Sequence, residues 1–169
     1  MNVPNKKVVI DLLLAARDGD LVLVKEHINR GSNLEERDLL GDTAFLKAAR
    51  CGHTETVRAL IAAGANSNAS DAKQWTAIHS CIANNHERLV LELMEVGAGT
   101  PRAPNLEART STGDTPLHFA AYHKRIEAMK GLLAKGVDPK PVNNNKKRPA
   151  DVTSNETVLN TLRDAGGCD

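Results

Sequence analysis

The stretch GDTPLHFAA, residues 113–121, decides the fold. Thr115 stands before an apolar run, and its side-chain oxygen can accept a hydrogen bond from a free amide in the first turn of a helix. Pro116 takes the first helical position, where the missing N–H of proline does no harm. His118 would be a candidate catalytic residue if this stretch occurred only once. The first question is therefore whether the stretch recurs.

The chain repeats itself at a regular interval. Gly64 follows Gly31 by 33 residues, and Gly97 follows Gly64 by the same interval (64 − 31 and 97 − 64). The next interval, from Gly97 to Gly136, is 39 residues (136 − 97), so extra residues have entered the third unit. We place the insertion at residues 99–105. It is either a specific contact element or an insertion tolerated in a loop, where closure entropy grows only slowly with length.

The intervals divide the chain into one domain of five units. The last unit is shortened and carries RPAD at residues 148–151 in place of the TPLH string, so it is predicted to be a degenerate cap over the final apolar face. Met1 and this shortened last unit favour a complete small protein. The predicted units are 5–37, 38–70, 71–109 (with the insert 99–105), 110–142 and 143–169.

Each unit predicts two short helices followed by a polar, turn-rich finger. In the second unit, Thr43 begins the first helix and Gly52 ends it in the left-handed region. Val57, Leu60 and Ile61 then have the spacing of apolar residues on one face of a second helix. The sequence therefore predicts a stack of helix pairs.

The 33-residue unit with the TPLH string at residues 115–118 resembles the ankyrin repeat. The resemblance runs from about residue 5 to residue 166. It implies an all-α solenoid of stacked helix–turn–helix units with hairpin-like finger loops. The sequence departs from the family pattern where Gln74, Asn85 and Lys124 stand at positions that are usually glycine. Lys124 would cost roughly 1 kcal/mol in a left-handed conformation, which asparagine tolerates better.

The repeat argues against a catalytic role for His118. The equivalent position holds His79 in the third unit but Leu46 in the second, and a catalytic residue would not be replaced in this way. The family resemblance implies that these histidines hydrogen-bond across neighbouring turns near the threonine. Adjacent residues on a helix point to different faces, so the HSC string at residues 79–81 is not expected to pair a nucleophile with a base.

The sequence also lacks the patterns of cofactor and metal sites. The six histidines do not have metal-ligand spacing with the three cysteines, and no phosphate-binding glycine loop is present. We therefore expect no catalytic residue, no cofactor and no metal.

The composition limits which classes of partner the protein is expected to bind and in which cellular compartment it is expected. The net charge of +1 opposes nucleic-acid binding, and no apolar stretch is long enough to span a membrane. An odd number of cysteines without CxxC spacing predicts reduced thiols in an intracellular compartment, either the cytoplasm or the nucleus. Aromatic residues make up only 2% of the chain, so the core is expected to consist of Leu, Ala, Val and Ile. We expect a monomer.

The resemblance implies that a partner protein binds the concave side, which first helices and finger tips form. The chain's single Trp and single Tyr both fall at such outward positions. Trp75 is either a partner anchor or a side chain that packs across adjacent fingers on Leu40 or Thr112. The alternative function is an enzyme or small-metabolite-binding protein with a pocket between repeats. The predicted partner-binding residues are Leu39, Leu40, Asp42, Arg50, Lys73, Trp75, Asn84, Thr112, Asp114, Tyr122 and His123.

Overall fold

The structure, a computed structural model, describes residues 6–96 and 103–167, and the side chains of residues 6–11 are not described. Gly97, most of the predicted insert 99–105 and Cys168 lie outside these ranges. The described helices are α1 (Lys6–Asp18), α2 (Leu21–Asn29), α3 (Ala44–Cys51), α4 (Thr54–Ala62), α5 (Ala77–Ala83), α6 (Glu87–Glu95), α7 (Pro116–Tyr122), α8 (Ile126–Ala134), a 3₁₀ helix (Pro149–Val152) and α9 (Glu156–Asp164).

The helices form two layers. In the first layer, α1 packs on α3, α3 on α5, α5 on α7, and α7 on the 3₁₀ helix. In the second layer, α2 packs on α4, α6 on α8, and α8 on α9. Each first helix also packs on the second helix that follows it, as α3 does on α4. The prediction of an all-α stack of helix pairs is confirmed.

Helix ends follow the predicted chemistry. The Thr43 hydroxyl oxygen accepts a hydrogen bond from the Leu46 amide at 3.3 Å, which caps α3. Gly52 ends α3 with φ of 78°, in the left-handed region. A Cβ atom at Gly52 would lie 2.6 Å from the ring of His86, so the position needs glycine for space as well as for backbone conformation.

The three departures from the glycine pattern keep the left-handed backbone. Gln74, Asn85 and Lys124 have φ of 61°, 65° and 57°. Because glutamine and lysine carry a Cβ and have no short side chain that bonds locally, Gln74 and Lys124 each add strain of roughly 1 kcal/mol, whereas asparagine tolerates this conformation better. The left-handed backbone expected at Asn85 and Lys124 is confirmed.

The core consists mainly of small and aliphatic side chains, as the composition predicts. Ala48 and Ala49 in α3 and Ala120 and Ala121 in α7 are fully buried at the contacts between first helices. Small residues at these contacts let successive units approach closely. Phe45 is a buried aromatic member of the same core.

The second layer is less closely packed between α4 and α6. A depression of about 320 Å³ lies between these helices, lined by residues that include Val57, Ile61 and Leu93. Arg58 bridges the gap with a hydrogen bond from Nη2 to Glu92 Oε2 at 2.9 Å. The second layer is thus held across this gap by an exposed ion pair, which contributes little stability.

Candidate functional site

The part of the chain that the structure describes contains four fingers, each a five-residue turn just before a first helix or the 3₁₀ helix: 38–42, 71–75, 110–114 and 143–147. Each finger is closed by a backbone hydrogen bond between its first and last residues, such as that from the Asp71 amide to the Trp75 carbonyl. The side chain of the first residue also accepts backbone amides, as Asp71 Oδ1 does from Lys73 and Trp75. The finger backbones are therefore fixed before any partner arrives.

Neighbouring fingers are joined at their tips. The Ala72 amide donates to the Leu40 carbonyl, Ser111 to Lys73, and Asn144 to Thr112, each at 3.0 Å. These bonds line the tips up beside the first helices. One continuous open surface results, and it contains most of the predicted partner-binding residues.

The two TPLH-type histidines are structural. His118 Nδ1 lies 3.2 Å from the Thr115 amide and 3.0 Å from its hydroxyl, while Nε2 lies 2.9 Å from the Lys147 carbonyl in the next finger. His79 bonds to Thr76 and to the Asp114 carbonyl in the same manner. Because a carbonyl can only accept, Nε2 of each ring carries the proton and Nδ1 is the acceptor. The structural interpretation of His118 is confirmed.

A second pair of histidines joins the units at the other end of the first helices. His53 Nε2 lies 2.8 Å from the Arg17 carbonyl, and His86 Nε2 lies 3.0 Å from the Arg50 carbonyl. Both residues stand at the start of a second helix, but neither caps that helix with its side chain. Each ring instead hydrogen-bonds to a carbonyl group near the C-terminal end of the preceding first helix, where carbonyls have no partner within the helix.

Two predicted partner-binding residues belong to an internal ion-pair network. Asp42 is only 1% exposed, so its assignment as an outward-facing residue is wrong. Arg50 Nη2 donates to Asp42 Oδ1 at 2.8 Å and to Asp71 Oδ2 at 3.0 Å. Burial raises the pKa of Asp42, while Arg50 and Lys47 counteract this shift. Arg50 is thus engaged in joining two fingers rather than a free solvated charge.

An aromatic groove lies along α7, between Trp75 of the second finger and residues 143–147 of the fourth. Trp75 packs edge-on against Phe119 with ring centroids 4.7 Å apart and an interplanar angle of 88°. Tyr122 lies in the same groove and is 66% exposed. The groove has a volume of about 640 Å³, and His123, Asn143 and Val152 are also among its lining residues. We call this site the aromatic groove.

Trp75 also borders a smaller depression on its other side. This depression, of about 250 Å³, is lined by Leu40, Arg50, Asp71, Ala72, Lys73, Trp75 and Asn84. Trp75 therefore stands as a half-buried ridge between two hollows. Its observed ring contact is Phe119, which the packing alternative did not name.

The remaining predicted residues lie at or near these two hollows. Asp114, Tyr122 and His123 line the aromatic groove, and Leu40, Lys73 and Asn84 line the smaller depression. Leu39 is fully exposed at its fingertip. Thr112 is exposed too, and its hydroxyl donates to Asp114 Oδ2 at 2.7 Å.

The sequence interpretation missed Phe119, Asn143, Asn145, Lys147 and Val152. Phe119 forms a wall of the groove, yet its position holds Lys47 in α3 and Ser80 in α5. An aromatic residue at a position that is polar in two other units is the sequence feature that could have identified Phe119. The groove residues at 143–152 come from the last unit, which was interpreted only as a cap.

The three side chains of the HSC string at residues 79–81 are buried. Cys81 is fully buried, and burial raises the pKa of its thiol to about 12. In the part of the chain that the structure describes, no group of three His, Cys, Asp or Glu residues could hold a metal ion. Among the same residues, no helix is both long enough and apolar enough to cross a bilayer.

The fold and this open surface define a solenoid repeat protein built from helix pairs. The family model described as ankyrin repeats in three copies matches residues 12–103, and the single ankyrin repeat model matches residues 112–144. The chain belongs to the ankyrin repeat family. Proteins of this family are generally protein–protein interaction modules and are typically not enzymes.

Curated relatives share the repeat array over part of their length. The ankyrin repeat and KH domain-containing protein mask-1 of Caenorhabditis elegans is 31% identical over 140 residues, which is 82% of this chain and 5% of that protein. A putative ankyrin repeat protein of Rickettsia felis is 30% identical over 121 residues, 71% of this chain and 38% of that protein. Rabankyrin-5 of Mus musculus is 36% identical over 101 residues, 59% of this chain and 8% of that protein. The chain thus spans less than half the length of each.

Proposed function

We propose that this chain binds another protein through the surface formed by its fingers and first helices, with the aromatic groove at the centre of the interface. The observation that carries the proposal is the placement of the chain's single Trp and single Tyr in one open groove of about 640 Å³. Large amphipathic aromatic side chains are typical anchors of protein interfaces.

The surface is rigid before binding. Hydrogen bonds close each finger, and further hydrogen bonds join the neighbouring fingertips. His79 and His118 tie their helices to the next finger. Association therefore costs little ordering entropy of the backbone, which favours affinity at a given contact area.

A pocket for a small metabolite is the second candidate, because the groove volume lies in the range of about 300–1,000 Å³ that is typical of small-ligand sites. The groove chemistry favours the protein partner. Both nitrogens of His118 are occupied by bonds within the fold, and both carboxylate oxygens of Asp114 accept hydrogen bonds, from Asn143 and Thr112. These titratable groups are not free to converge on a substrate.

The proposal is tested by quantitative affinity capture of a partner with Tyr122→Ala. Tyr122 is the better position to alter, because the packing of Trp75 on Phe119 makes a Trp75 variant less stable as well. Leu91→Ala is the matched control, since Leu91 is a 41% exposed apolar side chain on α6, in the other helix layer. We expect Tyr122→Ala to reduce capture about tenfold or more, as an interface anchor does. Equal reduction by Leu91→Ala, or none by Tyr122→Ala, would refute the proposal.

A further inference from the structure

We propose that the aromatic groove receives an acidic segment of the partner, in which one apolar or aromatic side chain is flanked by aspartate or glutamate. This inference rests on the proposed function and names the chemistry of the partner that the groove recognises. It is carried by the arrangement of charges on the fingers and by the apolar and neutral side chains of α7 and the 3₁₀ helix that line the groove.

The carboxylates of the fingers are engaged within the fold. Asp38 Oδ2 pairs with Lys47 at 2.6 Å, and its Oδ1 accepts two backbone amides. Asp42 and Asp71 share the Arg50 guanidinium. Asp114 Oδ1 accepts from Asn143 at 2.6 Å and Oδ2 from Thr112 at 2.7 Å. The negative charges of the fingers are therefore neutralised or hydrogen-bonded.

The lysines of the fingers, unlike the carboxylates, point into solvent. Lys73, Lys146 and Lys147 are exposed. Among the described residues, no carboxylate oxygen lies within 4.0 Å of their ammonium nitrogens, so these lysines form no ion pair there. Lys147 makes only a small contribution to lowering the pKa of Asp151, which the hydrogen bond from the Arg148 amide chiefly causes. The fingers thus present positive charge outward.

Two of these lysines, Lys73 and Lys147, flank the aromatic groove. Lys147 lines it directly, in finger 143–147. Lys73 lies on the opposite side of Trp75, in the smaller depression. An apolar side chain placed between Trp75, Phe119 and Tyr122 would therefore have a lysine on either side of it. Acidic residues next to that side chain would meet both cations.

The floor of the groove favours an uncharged insert. Burial lowers the pKa of His118, and burial together with Arg125 lowers that of His123, so both rings are neutral near pH 7. Phe119 and Val152 are partly buried apolar side chains packed against the core. Phe119, Val152 and the two neutral rings carry no charge, so an apolar anchor that packs on them does not desolvate a charged group.

A nucleic acid would also supply negative charge, and bases can stack on aromatic rings. The arrangement of the lysines favours the acidic peptide. Binding along a phosphate backbone uses a continuous positive track, whereas Lys73 and Lys147 lie at two separate sides of one groove, and the whole chain carries a net charge of only +1.

The inference is tested by selecting binders from a random peptide library in parallel on the wild-type protein and on Tyr122→Ala. We expect the wild type to enrich peptides with Asp or Glu next to an aromatic or large aliphatic residue, and Tyr122→Ala not to enrich them. The enriched consensus peptide is then titrated against the wild type with the fluorescence of Trp75 as the signal, because Trp75 is the only tryptophan.

Charge variants then separate recognition by the lysines from general attraction. Lys73→Glu and Lys147→Glu should each weaken consensus-peptide binding about threefold to fivefold, as loss of one exposed ion pair does. Lys25→Glu is the charge-matched control on α2 and should leave binding unchanged. Melting curves of each variant verify that the fold is intact.

Several outcomes would overturn the inference. A basic or neutral consensus, the same enrichment on Tyr122→Ala, or equal weakening by Lys25→Glu would each show that the charge argument is wrong. Binding of a labelled oligothymidylate more tightly than the peptide would identify the groove as a nucleic-acid site instead. If the charge argument fails while Tyr122→Ala still loses partner capture, the proposed function stands; if Tyr122→Ala captures the partner normally, the proposed function fails as well.

Discussion

His79 should make the protein less stable in mild acid, and the structure gives the size of the effect. The His79 side chain is fully buried, and burial lowers its pKa to about 4 from 6.5. Its Nδ1 accepts a hydrogen bond from the Thr76 amide at 3.3 Å. Protonation of Nδ1 would set two donors against each other, so the buried ring resists protonation.

The direction in which pH changes the free energy of unfolding follows from whether the folded or the unfolded chain binds the proton. Above pH 6.5 the ring is neutral in both states, and stability does not depend on it. Between pH 6.5 and about 4 the unfolded chain binds a proton that the folded chain does not, so the free energy of unfolding falls as the pH falls. At about 1.4 kcal/mol for each pH unit, this window corresponds to about 3 kcal/mol. His118, whose pKa burial also lowers, acts in the same direction.

The assay is urea unfolding followed by far-ultraviolet circular dichroism, from pH 7 down to pH 4, for the wild type and His79→Leu. Leucine already occupies the equivalent position as Leu46, so the replacement suits the helix pair. At pH 7 the variant should be less stable by about 1–3 kcal/mol, because Thr76 and Asp114 lose a hydrogen-bond partner. Between pH 7 and pH 4 this difference should shift by about 3 kcal/mol in favour of the variant, so that at pH 4 the variant is as stable as the wild type or more stable. A difference that stays constant across the range would refute the assignment of His79 as a buried neutral ring.

Two further predictions concern a glycine and the cysteines. Gly52→Ala should lower the unfolding free energy by about 3 kcal/mol, because the new Cβ clashes with His86 and the backbone is strained as well. Gly64→Ala should lower it by only about 1 kcal/mol, because nothing lies within 4 Å of the new Cβ and only the backbone strain remains. Urea unfolding of both variants measures this, and equal losses would contradict the clash. In native protein an alkylating reagent should modify the exposed Cys51 and spare Cys81, because burial raises the pKa of the Cys81 thiol. Peptide mass spectrometry checks this, and comparable modification of Cys81 would show that it is accessible.

The interval and the end signals of the units were enough to predict the fold. Thr43 and Gly52 bound α3 through interactions within a few residues of chain, so their roles can be inferred from local chemistry. The structural role of His118 followed from the comparison of units together with the family resemblance. In each case the deciding contact is local or repeated.

The site was predicted less completely because its deciding contacts cross between units. Asp42 and Trp75 occupy the same position in their units. The Asp42 carboxylate turns inward because Arg50 binds it, whereas the Trp75 indole lines a groove, and the sequence alone does not distinguish the two. Arg50 itself joins Asp42 to Asp71, a residue 21 positions further along the chain. Phe119 was missed for the same reason, since its contact with Trp75 forms only when units stack.

The most direct test of the account is site-specific photocrosslinking in extracts of cells that make this protein. A photoreactive phenylalanine derivative replaces Tyr122 in one sample and Val22, a 72% exposed residue on α2, in the other. The probe at Tyr122 should yield a discrete adduct with one protein, and the probe at Val22 should not. An excess of unlabelled wild type, but not of Tyr122→Ala, should suppress the adduct. An adduct from Val22 alone, or one that Tyr122→Ala suppresses equally well, would contradict binding in the aromatic groove.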